Sequence, residues 1–286
     1  MIKDFINKIY SFKIQERYFF NPFIEFEITS LGNYQGINNG IKRATPVIVS
    51  LHAKPSDYKN LPITIYSILN QTMKPDEIIL WINEDENLQT LPYEITQFIK
   101  NGLEIKFIKN KNEYTATYYA IKEFSNSINV IAQSGLYYTK NWLKKLYSSY
   151  IQYSDEIQVH LANEVILKDE KLLPSKYWKK SIEEKSNYSN VINLQGGVLF
   201  PPNCFGKDIL REDIFLKYAP ANPELWFWVM SLVCNKKTRI VKNNNKHLCF
   251  LNIMQLLNTK TDYELIDKQI ENLMKFYRQN ITSKLL

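Results

Sequence analysis

The sequence has few cysteines and no apolar run long enough for a membrane span. Its 286 residues include 3 cysteines, Cys204, Cys234 and Cys249, which are widely spaced and odd in number. This pattern argues against a disulfide framework or a cysteine zinc site. The most apolar stretch, Leu225–Cys234, is too short to cross a bilayer, and Met1–Phe20 mixes charges among its apolar residues instead of forming a signal-peptide core. We therefore expect a cytoplasmic protein.

The sequence also lacks the motifs of nucleic-acid-binding proteins. Its net charge is +7 and its pI is about 9.0, but the lysines are dispersed along the chain. We expect no nucleic-acid partner. The positive charge is compatible with a nucleotide or an anionic membrane surface, and a solvated lysine-rich surface is the plain alternative.

What the sequence does contain is the composition of a folded protein, with 45% apolar and 14% aromatic residues. Residues 1–45 form an aromatic-rich N-terminal extension that ends in a loop-like segment with Gly32, Gly36 and Gly40. The periodic part of the chain follows, and we assign residues 46–286 to one main domain.

Apolar strands and amphipathic helices alternate along the first part of this domain. The predicted elements, in chain order, are the strand Pro46–Leu51, the helix Pro62–Leu69, the strand Glu77–Ile82, the helix Pro92–Lys100, the strand Leu103–Ile108, the helix Tyr114–Phe124 and the strand Ile128–Ala132. This alternation predicts an α/β fold with a mostly parallel, Rossmann-like sheet flanked by helices. A further helix is expected near Thr261–Tyr277, where it covers the core or supports a homo-oligomer.

In sheets of this kind, ligands bind outside the carboxyl ends of the strands. Leu51, His52, Glu84 and the segment Gln133–Gly135 follow or end the first, second and fourth strands, so we expect them to face one cleft. A histidine hydrogen-bonded at the strand end is the alternative for His52, and a solvated acidic turn is the alternative for Glu84.

Six short segments of the chain, taken together, resemble bacterial glycosyltransferases of the GT-A fold, similar to family 2 enzymes. They occur in the order of that family and are Val47–Leu51, Ser67–Thr72, Lys74–Trp81, Tyr138–Leu143, Gln195–Pro202 and Leu225–Trp228. The resemblance implies transfer of a sugar from a nucleotide-sugar donor to a glycan or lipid-linked acceptor, in bacterial surface polysaccharide (capsule) or glycan biosynthesis. Such transferases use Mg²⁺ or Mn²⁺, held by acidic side chains, to neutralise the leaving diphosphate, and a further carboxylate to deprotonate the acceptor.

The chain departs from the family at both acidic positions. The first, an Asp-rich run after the fourth strand, aligns with Gln133, Ser134 and Gly135, which supply only neutral oxygens. The second, an acidic pair before a helix, aligns with Pro223 and Glu224, so Glu224 is the candidate general base. At ~4 Å and an effective dielectric of ~20, each missing charge pair is worth about 4 kcal/mol before desolvation. We therefore assign no metal ligand, and Mg²⁺ or Mn²⁺ is at most weakly held.

Two hypotheses follow from these departures. The chain is either a hexosyltransferase-type enzyme with a metal-poor site, or a catalytically inactive transferase fold that serves in binding or scaffolding. Gly196, Gly197 and Trp226 are candidate acceptor-binding residues, and tight packing is the alternative for each. The apolar and basic residues around Phe5–Phe12 are compatible with peripheral membrane contact, and packing onto the domain is an equal alternative.

Overall fold

The computed structural model describes residues 31–40, 42–109, 112–181, 183–242, 248–251, 261–277, 281 and 284–285. The predicted membrane-contacting segment Phe5–Phe12 and most of the N-terminal extension lie outside the described residues. His247 lies outside them too.

A large sheet of eight strands forms the centre of the molecule. Its strands, in spatial order, are β11 (Ser186–Asn187), β14 (Thr238–Ile240), β6 (Ile157–Val159), β13 (Val198–Phe200), β4 (Ile128–Ile131), β1 (Val47–His52), β2 (Glu77–Asn83) and β3 (Leu103–Ile108). The four strands from β4 to β3 are all parallel, with Leu51 of β1 opposite Leu80 of β2. β13 runs antiparallel to β4 and β6. The sheet is therefore mostly parallel.

Three smaller sheets lie beside the main one. Their strands are β5 (Leu136–Tyr138) with β15 (Leu248–Phe250), β8 (Leu167–Lys168) with β9 (Lys171–Leu172), and β10 (Lys179–Ser181) with β7 (Ala162–Glu164) and β12 (Asn190–Ile192). All of these pairings are antiparallel.

Helices cover both faces of the main sheet. Within the described residues, the α-helices are α1 (Leu61–Leu69), α2 (Tyr93–Thr96), α3 (Thr115–Glu123), α4 (Trp142–Gln152), α5 (Glu212–Tyr218), α6 (Pro223–Val233) and α7 (Tyr263–Phe276). Short 3-10 turns lie at Pro55–Asp57, Gln97–Asn101, Asn112–Tyr114, Ser175–Tyr177, Leu194–Gly196 and Lys207–Leu210. Among the described residues, none of the helices combines the length and the apolar content that a membrane span requires.

Two hydrophobic cores lie on opposite faces of the sheet, because successive side chains of a strand point to opposite faces. Val47, Val49 and Leu51 of β1 contribute to a core with α1 and α4, whereas Ile48 contributes to a second core with α3, α5, α6 and α7. The expected α/β architecture, a mostly parallel sheet flanked by helices, is confirmed.

The structure differs from the sequence prediction in two places. The single helix predicted over Pro92–Lys100 is one turn of α-helix followed by a 3-10 segment, which ends at Gly102 with a left-handed φ of 104°. Between the predicted strand Ile128–Ala132 and helix α4, the chain forms the additional strand β5. Both differences concern short elements, whose periodicity is too brief to identify them.

Candidate functional site

The carboxyl ends of β1, β2, β3 and β4 lie along one edge of the main sheet, since these strands are parallel neighbours. The segments that follow them carry most of the residues predicted as a site. His52 ends β1, Glu84 follows β2, and Gln133–Gly135 follows β4. These strand ends therefore share one edge of the sheet, and the expectation that the residues face one cleft stays a prediction.

The structure places Leu51 and His52 in different surroundings. Leu51 is fully buried in the core that contains α1, so its side chain cannot contact a donor, and its prediction as a binding residue is corrected to a core role. His52 lies on the opposite face, is half-buried, and is aligned with Trp81 of β2. The pleat of the strand explains why neighbouring residues have separate roles.

The segment Gln133–Gly135 forms a tight turn between β4 and β5. The backbone N–H of Gln133 donates to the Tyr138 hydroxyl at 2.8 Å, and the Gly135 carbonyl accepts from the N–H of Leu251 at 2.9 Å. Gly135 has a left-handed φ of 78°, and a methyl group added there would meet no atom of the described residues within 4 Å. The hydroxyl oxygen of Ser134 is buried and has no hydrogen-bond partner among the described residues. The turn thus offers neutral polar groups beside open space.

This turn does not suit a tightly held Mg²⁺ or Mn²⁺. Such cations prefer several oxygen ligands with at least one carboxylate, and the turn supplies an amide, a hydroxyl and backbone groups. Across the part of the chain that the structure describes, no group of three His, Cys, Asp or Glu side chains is arranged to hold a metal ion. The residues present do not fit the metal that the family resemblance implies.

The loops after β1 and β2 approach each other through Tyr58 and Glu86. Burial and the charges of Glu86 and Asp57 raise the pKa of Tyr58 to about 12. Its hydroxyl is buried without a hydrogen-bond partner among the described residues. Glu84, the predicted residue, is exposed, and its backbone N–H donates to Ile108 at 2.9 Å. Sequence reasoning missed Tyr58, because no local pattern reveals which loop residue turns inward.

Glu224 reaches the same edge of the sheet from the other half of the chain. It is half-buried in the first turn of α6. Tyr114, which follows β3, has its pKa raised by burial and by the negative charge of Glu224. The Tyr114 hydroxyl also donates to the carbonyl of Ala219 at 2.5 Å, in the turn that leads into α6. The structure therefore brings a carboxylate close to the segment that follows β3.

Gly196 and Gly197 are explained by packing. The Gly196 carbonyl accepts a hydrogen bond from the Trp142 indole at 2.9 Å. A methyl group on Gly197 would lie 2.4 Å from the Trp142 ring, and one on Gly196 would lie 2.8 Å from the backbone nitrogen of Leu161. Protein atoms occupy the space beside both glycines, so their prediction as acceptor-binding residues is corrected to tight packing.

Trp226 is a core residue and has no exposed ring face. It is fully buried, its indole N–H donates to the Ile209 carbonyl at 3.1 Å, and its ring packs against Phe215 and Tyr277. A sugar needs an accessible ring on which to stack, so the predicted acceptor contact of Trp226 is corrected. Trp228 is also fully buried, as its packing role requires.

Comparisons with known proteins give limited information. No family model matches the sequence, and none of the curated proteins matches it. The fold is similar to the crystal structure of S. aureus TarS 1–349 in complex with UDP, with 13% sequence identity and a TM-score of 0.48. The similarity covers 82% of this chain and 74% of that chain. A similarity at this level supports no statement about activity.

The half-buried carboxylate of Glu224 thus lies near Tyr114, in the segment after β3, and the neutral turn Gln133–Gly135 follows β4. A carboxylate in this setting can accept a proton. Neutral N–H and hydroxyl groups can contact phosphate oxygens.

Proposed function

We propose that this chain is a GT-A-like glycosyltransferase that uses a nucleotide-sugar donor and has a metal-poor site. The observation that carries the proposal is the hydrogen bond from Tyr114 to Ala219, which ties the turn before Glu224 to the segment after β3. The neutral turn Gln133–Gly135, which follows β4 on the same edge of the sheet, supports a place for the donor diphosphate. The six sequence segments that resemble family 2 glycosyltransferases, and that occur in the order of that family, support the same assignment.

In the proposed reaction, Glu224 takes the proton from a hydroxyl of a glycan or lipid-linked acceptor. The acceptor oxygen then forms a bond to the anomeric carbon of the donor sugar, and the bond from that carbon to the diphosphate oxygen breaks. The nucleoside diphosphate leaves with the bonding electron pair. We assign stabilisation of this developing charge to backbone N–H groups near Gly135, because the Ser134 hydroxyl is buried.

Arg211 is a poor candidate for neutralising the diphosphate, although it lies shortly before α5. Its guanidinium donates two hydrogen bonds to Asp213, at 2.8 and 2.6 Å, so its charge is already paired. We therefore assign stabilisation of the negative charge on the leaving diphosphate to N–H dipoles of the Gln133–Gly135 turn and not to Arg211.

The alternative is a binding or scaffolding module that has kept the transferase fold. The neutral turn Gln133–Gly135 is the observation that favours it, since a site without acids is also what loss of catalysis would leave. The alternative predicts that the edge of the sheet binds no nucleoside diphosphate.

Calorimetric titration with UDP and GDP, with and without Mn²⁺, separates the two functions. We expect binding of at least one nucleotide, with an affinity that Mn²⁺ leaves unchanged. Binding of neither nucleotide would favour the scaffold, and binding only with Mn²⁺ would contradict the metal-poor site. Turnover of the matching nucleotide sugar is expected to persist in EDTA.

Replacing Glu224 with glutamine tests its role as the base. The Glu224→Gln change keeps the size and polarity of the side chain but removes the proton acceptor, so kcat should fall by about 10²–10⁴-fold while the nucleotide still binds. Steady-state kinetics measure this. Glu271→Gln is the control, because Glu271 is exposed on α7 and pairs only with Lys275 in the described contacts. Full activity of Glu224→Gln would remove Glu224 from the mechanism.

A further inference from the structure

The turn that precedes Glu224 is held at both of its ends. At its start, the Ala219 carbonyl accepts from the Tyr114 hydroxyl and also from the N–H of Asn222 at 3.2 Å. At its end, the side-chain amide of Asn222 donates to the side-chain carbonyl of Gln269. The N–H of Leu225 then returns to the carbonyl of Asn222 at 3.2 Å. Glu224 thus follows a turn with two external anchors.

The second anchor comes from α7, far along the chain. Gln269 is 3% exposed and lies beside Ile270 and Leu273, which are core residues of the same helix. The Nε2 atom of Gln269 is buried and has no hydrogen-bond partner among the described residues. The described hydrogen bonds of the Gln269 side-chain amide therefore consist of its carbonyl accepting from Asn222. This contact ties the position of the buried amide to that of the turn.

The side chain of Asn222 does not cap helix α6, although Asn222 stands at the N-cap position. It stands at the N-cap of α6, where an asparagine side chain commonly accepts a hydrogen bond from the first turn of the helix. No such side-chain cap is formed at Asn222. Its amide instead donates to Gln269, so the turn is oriented by α7 and not by the cap of its own helix.

We propose that Gln269 is a positioning residue that sets the orientation of the Glu224 turn through Asn222. The proposal rests on the proposed function only in naming Glu224 as the base. The conformational part, that Gln269 orders residues 219–226, rests on the hydrogen bond between the two side-chain amides and on the burial of Gln269.

Replacing Gln269 with leucine removes the contact and keeps a side chain of similar size. Asn222 is half-exposed, so water can replace its lost partner, and the unpaired buried amide disappears as well. We expect the thermal midpoint of unfolding to be unchanged or higher. Backbone amides of residues 219–226 should exchange with deuterium about three- to tenfold faster, the range for one net hydrogen bond.

In an active preparation, the same variant should lower kcat by about 10- to 100-fold, because a small misplacement of a reacting group has effects of that size. KM should change little, since Gln269 contacts no proposed ligand group. Replacing a residue with a purely structural role would lower the thermal midpoint and leave kcat per folded molecule unchanged. A lower kcat with an unchanged or higher midpoint therefore identifies a positioning role.

Asn222→Ala provides a second route at a half-exposed site, in case Gln269→Leu folds poorly. If the two side chains act through each other, the double variant should exchange no faster than either single variant. Asp267→Asn is the matched control on the same helix, because Asp267 accepts from the N–H of Ser175 at 2.7 Å and should affect that segment only.

The outcomes separate the two proposals. Unchanged exchange of residues 219–226 in folded Gln269→Leu and Asn222→Ala proteins would overturn the positioning role, whether or not the chain is a transferase. Faster exchange without any turnover by the wild-type protein would support the anchor and reject the proposed function. Faster exchange with an unaffected kcat in an active enzyme would also overturn the positioning role.

Discussion

At the scale of single residues, Gly135 and Gly197 have nearly the same backbone φ angle but different surroundings. Their φ values are 78° and 81°, both in the left-handed region that favours glycine. A methyl group would meet no atom of the described residues within 4 Å at Gly135 but would collide with the Trp142 ring at Gly197. The backbone alone explains the first glycine, whereas the second also depends on close packing.

This contrast predicts different costs for the same substitution. Gly197→Ala should lower the free energy of unfolding by roughly 2–5 kcal/mol, because left-handed backbone strain adds to overpacking against Trp142. Gly135→Ala should lose only about 1–2 kcal/mol from the backbone strain. Urea unfolding of both variants measures the difference. Equal losses would mean that the Trp142 ring moves aside freely.

At the scale of elements, Asp76 joins the loop segment before β1 to the start of β2. Its carboxylate accepts from the Asn38 side chain at 2.8 Å, the Val47 N–H at 2.7 Å and Arg43 at 2.6 Å. Burial raises the pKa of Asp76, but these donors outweigh burial and hold the pKa below its usual value of 3.8. The charged form therefore stabilises the junction.

The lowered pKa gives a pH-dependent prediction. Asp76→Asn should lose about 1.5–3 kcal/mol of unfolding free energy at pH 7, the range for hydrogen bonds to a charged group. The carboxylate contributes above its unfolded pKa, and this contribution is lost as pH falls below about 3.8 through the lower folded value. The difference between variant and wild type should therefore shrink in acid.

Denaturant titrations at pH 7 and near pH 3 test this expectation. Asp155→Asn serves as the control, because Asp155 is 82% exposed and its ion pair with Lys236 should contribute less than about 1 kcal/mol. A difference for Asp76→Asn that stays constant across pH would show that the charge does not stabilise the junction.

At the scale of the whole molecule, the two cores share one sheet. Trp142 lies in the core with α1 and α4, and Trp81, Trp226 and Trp228 lie in the opposite core. Strand β1 contributes side chains to both cores. The loss of either core would therefore expose one face of a strand whose other face still packs in the remaining core. The described loop residues before β1 also contact the domain, since Gly36 donates to Asn101 at 2.8 Å.

We expect residues 46–286 to unfold as one cooperative domain. We propose to follow unfolding in urea by tryptophan fluorescence and by far-ultraviolet circular dichroism, in the wild type and in the Trp142→Phe variant. In each protein the two signals should change in a single, coincident transition. Two separate transitions, one reported by Trp142 and one by the remaining tryptophans, would divide the molecule into independent units.

Much of the parallel half of the sheet was predictable, for local reasons. Strands such as Leu103–Ile108 are apolar runs bounded by turn residues, and helix Pro62–Leu69 has its apolar residues at helical spacing. The shared edge formed by the carboxyl ends of these strands was predictable as well, because the strands are parallel. That this edge carries the site stays a prediction. The antiparallel placement of β13 beside β4 was not, since it joins segments far apart in the sequence.

The sequence by itself determined the α/β alternation, the neutral chemistry of Gln133–Gly135 and the presence of a carboxylate at Glu224, because these depend on residue type and local periodicity. Only the tertiary structure decided that Trp226 and Leu51 are core residues, that Gly197 makes room for Trp142, and that Gln269 reaches Asn222. Burial and contacts between distant segments depend on how whole elements pack, and the identity of a residue does not specify which neighbours will surround it.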